Sequence, residues 1–318
     1  MKPTLAQIEA AAGIVYDVMS PTPQYCWPLV CRRLGTEVWV KHENHTPVGA
    51  FKIRGGLVYF RQLASQSDRP KGVISATRGN HGQSVGFAAR RYGIPATIVA
   101  PFGNSHEKNA AMRALGVDLV EYGDDFQAAR EYAIGLAKDR DLHMVPSFHP
   151  LLVRGVATYA LELLRHVGDL DVMYVPIGLG SGICGMIAVR DALGLSTRIV
   201  GVVSKHAPAY QLSFEQRVPV EHPTTTQLAD GVACRTPEPA ALEIIWRGVD
   251  HIVSVSDDEV AAAMRALFED THNVAEGAGA ASFAAALSEK DTLSGKKVGI
   301  VISGGNVDIK VFAKILRE

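Results

Sequence analysis

The chain is poor in every feature that marks a membrane, secreted or nucleic-acid-binding protein. It carries only four cysteines, Cys26, Cys31, Cys184 and Cys234. None has CxxC spacing, which argues against both a disulfide scaffold and a zinc ribbon. No apolar run approaches the roughly 20 residues that a bilayer-spanning helix needs. Neither sign of charge dominates: 32 Lys and Arg stand against 33 Asp and Glu, leaving a formal net charge of −1. The basic footprint of a nucleic-acid binder is therefore missing. The opening Met1-Lys2-Pro3-Thr4 lacks the charged, apolar, small order of a secretion signal. These absences predict a cytoplasmic protein with small-molecule ligands and no nucleic-acid or membrane partner.

What is present suits a large buried core: 47% of the 318 residues are hydrophobic and 20% charged. Short β-branched runs at 37–41, 72–75, 96–100, 118–120, 172–175, 198–203, 251–255 and 297–303 read as strands. Between them, amphipathic patterns at 83–92, 107–115, 127–139, 155–166 and 257–268 read as helices. Such alternation predicts an α/β fold with parallel sheets covered on both faces. Thr4-x-x-Gln7 reads as a capping box, and Ser256-Asp257-Asp258-Glu259 sets acids where a helix start favours them.

Four clusters fall at expected strand ends or helix starts. In Thr46-Pro47-Val48-Gly49-Ala50-Phe51-Lys52-Ile53-Arg54-Gly55-Gly56, the lysine follows a small-residue turn among apolar neighbours. Desolvation there would lower its pKa and make it a nucleophile for a carbonyl; a solvated lysine on a helix face is the alternative. Ser75-Ala76-Thr77-Arg78-Gly79-Asn80-His81-Gly82-Gln83 follows the 72–75 strand, which makes it either an anion site or an ordinary turn capped by Asn80. Pro176-Ile177-Gly178-Leu179-Gly180-Ser181-Gly182 suits a phosphate cradle better than a dinucleotide fingerprint, because Ile183 stands where the third glycine would be. Ser303-Gly304-Gly305-Asn306 ends the last strand, with Glu276-Gly277-Ala278-Gly279 upstream, and lets a ligand edge approach the backbone.

Taken in order, these clusters resemble the fold-type-II pyridoxal-phosphate enzymes, in the branch of threonine/serine dehydratases and serine racemase. The similarity runs from about Thr22-Pro23 to Asn306. It implies two doubly wound three-layer domains of the tryptophan-synthase-β kind, with 69–149 as a small domain inserted between 1–68 and 150–318. Pyridoxal 5′-phosphate would be the cofactor, joined to Lys52, which also moves the Cα proton. Phe51 would flank the ring and Asn80 would bond its 3′-oxygen. Gly178, Leu179, Gly180, Ser181 and Gly182 would wrap the phosphate, Ser303 would face the ring nitrogen, and Glu276 would lie at the cofactor. Thr77, Arg78, Gly79, Asn80 and His81 would receive the substrate carboxylate. The implied reaction is elimination of water and then ammonia from a β-hydroxy α-amino acid of the threonine or serine type. A neutral serine at the ring nitrogen weakens the electron sink and favours loss of the β-substituent. Homodimers or homotetramers are implied.

Two departures stand out. Racemase-competent relatives carry Ser-Ser-Gly-Asn-His where this chain has Thr77-Arg78-Gly79-Asn80-His81, and an arginine cannot readily serve as the second acid–base group. Arg78 would pair either with a substrate carboxylate or with a protein acid such as Glu276. A larger or acidic substrate is therefore open (phenylserine, 3-hydroxyaspartate, a hydroxyectoine breakdown product), as is β-replacement of the cysteine synthase type. Second, the loop Ser204-Lys205-His206-Ala207-Pro208-Ala209-Tyr210 has no carboxylate where many relatives hold a divalent cation, so no metal is expected. The chain stops soon after Asn306, from which a catabolic role without a regulatory domain is expected.

Overall fold

The computed structural model describes residues 2–317. Its strands are β1 (Gln24–Cys26), β2 (Glu37–His42), β3 (Val73–Ala76), β4 (Ala96–Ala100), β5 (Asp118–Glu121), β6 (His143–Met144), β7 (Val172–Pro176), β8 (Arg198–Ser204), β9 (His251–Val255) and β10 (Lys297–Ile302). The helices are α1 (Leu5–Tyr16), α2 (Pro28–Leu34), α3 (Lys52–Ala64), α4 (Asn80–Arg91), α5 (His106–Ala114), α6 (Phe126–Asp139), α7 (Pro150–Val167), α8 (Ser181–Ala192), α9 (Ala209–Gln216), α10 (Pro239–Gly248), α11 (Asp257–Thr271), α12 (Gly277–Ser288) and α13 (Ile309–Arg317). Both expected capping boxes form, at Thr4 and at Ser256. No helix among the described residues is long and apolar enough to cross a membrane.

The strands make a six-stranded sheet in the order β1-β2-β10-β7-β8-β9 and a four-stranded sheet in the order β5-β4-β3-β6. All pairs are parallel except β1 on β2, an antiparallel edge that the expectation of purely parallel sheets did not include. Alternation along each strand explains the double cover. Val172 and Tyr174 face the side packed by α11 and α12, whereas Met173 and Val175 face α7, α8 and α10. In the smaller sheet, Ile98 and Val73 pack towards α4, while Ile74 and Val99 meet Ala129 and Ala133 of α6.

Helices α3 and α7 bind the two sheets together. Tyr59 and Phe60 of α3 and Leu152 of α7 belong to the core of the smaller sheet, while the rest of α7 lies on the larger one. The two helices approach closely because they meet at glycine: a Cβ on Gly155 would lie 2.2 Å from the Arg54 carbonyl oxygen, and one on Gly55 2.9 Å from that of Leu152.

Buried charges fix the same pair. Arg54, with its side chain fully buried, binds Glu43 at 2.7 Å and Glu162 at 2.6 Å, and Lys41 reaches Glu162 at 2.6 Å. Two cations and two carboxylates thus neutralise one another. Thr22, Gln24 and Thr158 take further hydrogen bonds of the two cations, which is the condition for keeping ions in a core.

Candidate active site

Lys52 opens α3 and is positioned by a turn that zips onto the end of β10. Phe51 N donates to Ser303 O at 3.0 Å and Gly305 N to Gly49 O at 2.9 Å. Gly49 adopts φ +67°, and the Asn306 side chain fills the space a Cβ would need. The Lys52 amine lies 3.4 Å from Ser181 Oγ and 5.1 Å from the centre of the Phe51 ring. Burial lowers its pKa from 10.5 to about 8. Burial likewise lowers His81 to about 3, with the Lys52 charge adding to the effect, so this imidazole stays neutral. An amine in this condition is nucleophilic near neutrality.

Opposite the amine, β7 ends in the glycine turn and α8 begins. Gly180 caps the helix with φ 96°, a left-handed conformation that suits glycine. A Cβ on Gly178 would lie 2.4 Å from Gly231 O, so the backbone must run bare there. Leu179 is tied through its carbonyl, which accepts the Tyr210 hydroxyl at 3.1 Å. At Gly182 a Cβ would stop 3.6 Å from the Tyr159 hydroxyl and 3.8 Å from the Phe51 ring. The N–H groups of the first turn of α8, starting at Ser181 and Gly182, have no acceptor within the helix and form an anion cradle. A nucleophilic amine beside such a cradle suits a ligand that carries both a carbonyl and a phosphate.

The remaining wall joins α4, α12 and the end of β10. Asn80 donates from Nδ2 to Glu276 Oε1, while its Oδ1 accepts from Asn306 Nδ2 at 2.8 Å. Asn306 Nδ2 also donates to Val48 O at 2.8 Å. The amide orientation is therefore set from both sides. The Ser303 hydroxyl donates to Ala278 O at 3.3 Å, a long bond. Thr77 is buried and its Oγ1 accepts from Gly79 N at 3.0 Å. His81 Nε2 and Gln83 Nε2 are buried without a partner, which leaves hydrogen-bonding capacity in the first turn of α4.

Arg78 stands apart. It is exposed and has no hydrogen bond or ion pair among the described residues. The expected alternative of a pair with Glu276 is not realised, because Lys108 takes that place. Lys108 Nζ lies 3.1 Å from Glu276 and 2.8 Å from Asp230. Neither Lys108 nor Asp230 was legible in the sequence, since a lysine inside an amphipathic pattern reads as solvated. Among the described residues, no group of three or more His, Cys, Asp or Glu side chains gathers to hold a metal.

The family model described as "Pyridoxal-phosphate dependent enzyme" matches residues 15–304. The L-threonine ammonia-lyase of Thermotoga maritima is 34% identical over 316 residues, covering 99% of this chain and 78% of that protein. The L-threo-3-hydroxyaspartate ammonia-lyase of Saccharomyces cerevisiae is also 34% identical, over 315 residues, covering 99% and 96%. Among solved structures, maize serine racemase superposes with a TM-score of 0.90 at 26% identity, covering 100% of this chain and 98% of that one.

Proposed function

Because the chain belongs to the pyridoxal-phosphate-dependent enzymes, in their threonine dehydratase and serine racemase branch, we propose that it is an ammonia-lyase turning threonine or serine into a 2-oxo acid and ammonia. The observation that carries this reading is the Lys52 amine, lowered to about 8 and placed 3.4 Å from the first residue of the α8 cradle. When bound, the cofactor supplies the electron sink that makes a Cα proton removable.

The chain's own groups do the rest. Lys52 would hold the cofactor through its Nζ and, once free, would take the proton from the substrate's Cα. The turn Gly178, Leu179, Gly180, Ser181 and Gly182 would hold the phosphate on backbone N–H groups. Phe51 would flank the ring, Asn80 would meet its 3′-oxygen and the Ser303 hydroxyl its nitrogen. Thr77, Gly79 and the neutral His81 receive the α-carboxylate beside the start of α4, with residues 69–149 forming the smaller domain.

Arg78 supports one variation. An exposed guanidinium without a protein partner, next to this carboxylate site, suits a second carboxylate on the substrate, as in 3-hydroxyaspartate. It also offers no acid–base group for the opposite face of Cα, so racemisation is expected to be slow. Borohydride reduction followed by peptide mapping tests the reading. The tag is expected on Lys52, and a tag elsewhere or none at all would overturn it. Release of 2-oxo acid from threonine, serine, 3-hydroxyaspartate and phenylserine then ranks the substrates.

A further inference from the structure

We propose that Lys108 is a positioning residue for the cofactor: reaching across from α5, it pairs with Glu276, and Glu276 holds the Asn80 amide with one N–H free for the ring oxygen. The assignment rests on the function proposed above and goes beyond it.

The geometry runs through three contacts. The side chains of Lys108 and Glu276 are 8% and 3% exposed and lie 3.1 Å apart. Asn80 Nδ2 donates to the other Glu276 oxygen, and Asn80 Oδ1 is occupied by Asn306 at 2.8 Å. A carboxamide has two N–H groups, so one remains. The stem of Lys108 also runs directly under the loop that carries Asn80. A Cβ on Gly79 would lie 2.4 Å from Lys108 Cδ, and the φ of +153° at Gly79 further restricts that position to glycine.

The charged groups facing Glu276 are Lys108 from α5 and Asp230 from the turn at Asp230–Val232, with Asn80 of α4 as the polar contact. Burial pushes the Glu276 carboxyl above its ordinary value and Asp230 adds to this, while Lys108 and Asn80 pull it down. Burial also opposes the charge on Lys108, but the two carboxylates outweigh it and hold the ammonium well above its ordinary pKa. Removing the ammonium leaves Glu276 buried next to a second carboxylate, which pushes its carboxyl further up and favours the neutral acid. Asp230 is 33% exposed, so water screens part of its charge and the pair that must stay matched is Lys108 with Glu276.

The test is the absorbance of the pyridoxal-phosphate-loaded protein between about pH 6 and about pH 9. Wild type and Lys108→Arg are expected to show a band that does not move with pH. Lys108→Met is expected to show a displaced band that shifts with pH, with cofactor bound about tenfold more weakly. A merely structural lysine would not make the spectrum pH-dependent. A Lys108→Met band superimposed on that of wild type at every pH would overturn the assignment and leave the proposed function standing. A wild-type protein that takes up no cofactor would overturn both. If Lys108→Met does not fold, Glu276→Gln carries the test, because it keeps the shape and removes the charge. A displaced, pH-independent band is expected, and a spectrum identical to that of wild type would sink the proposal.

Discussion

At the scale of single residues, the depressed pKa of Lys52 has two consequences with defined signs. The neutral amine is the nucleophile, and its pKa is about 8 in place of 10.5. Capture of pyridoxal phosphate by the cofactor-free protein should therefore rise about tenfold between about pH 7 and about pH 9 and then level off. Stopped-flow absorbance reads this directly, and a rate still climbing steeply above about pH 9 would mean an unperturbed lysine. Stability of the cofactor-free chain moves with the same group. The unfolded amine keeps its proton up to 10.5, so stability is lost as the pH drops from 10.5 towards 8, and no more is lost below that. Arg78→Ser isolates the substrate question. If the guanidinium reads a second carboxylate, KM for 3-hydroxyaspartate should rise at least about tenfold while that for threonine stays put.

Motif residues were legible at this scale because each sits in a short local pattern that keeps its neighbours in order. The structure brings Lys52 to Ser181 and Asn80 to Glu276. Lys108 was not legible, because its importance lies in a partner far away in sequence. Arg54 was hidden for a related reason. A charged side chain in a helical pattern reads as solvated, and only Glu43 and Glu162 arriving from β2's end and α7 make its complete burial possible.

At the scale of elements, strands with several β-branched residues announce themselves, as β4 and β9 do with the bounds their runs suggest. The edge strand β1 has three residues and β6 two, too short for alternation to register. Helix α7 starts at Pro150, ahead of the expected 155, because His149 caps it by accepting from Leu151 N at 3.1 Å. Between elements, the α3–α7 contact is the sensitive one. Gly155→Ala would press a methyl group into the Arg54 carbonyl and force α3, with Lys52 at its start, to shift. A loss of about 1–3 kcal/mol in urea unfolding is expected, accompanied by weaker cofactor binding. Arg54→Met leaves Glu43 without a cation and should cost about 3–5 kcal/mol. Full stability in this variant would mean that the buried network reorganises freely.

At the scale of the whole molecule, the four-stranded sheet takes all its strands from between two parts of the six-stranded one, and α5 meets the far side through a compact set of contacts. Ser105 donates to Asp308, Ile309 N donates to Glu107 at 2.8 Å, and Lys108 holds Asp230 at 2.8 Å. Prolonged dialysis against EDTA should leave both turnover and melting temperature unchanged, because the loop after β8 offers Lys205 and His206 in place of carboxylates. Loss of either on chelation, with recovery on adding Mg²⁺, would reveal a site that the carboxylate pattern does not announce.

The glycine contact between α3 and α7 has one more effect. Both chain crossings between the sheets run through this close-packed pair. A side chain at either glycine would wedge the crossings apart and draw the reacting amine, carried at the start of α3, away from Ser181 on the opposite wall.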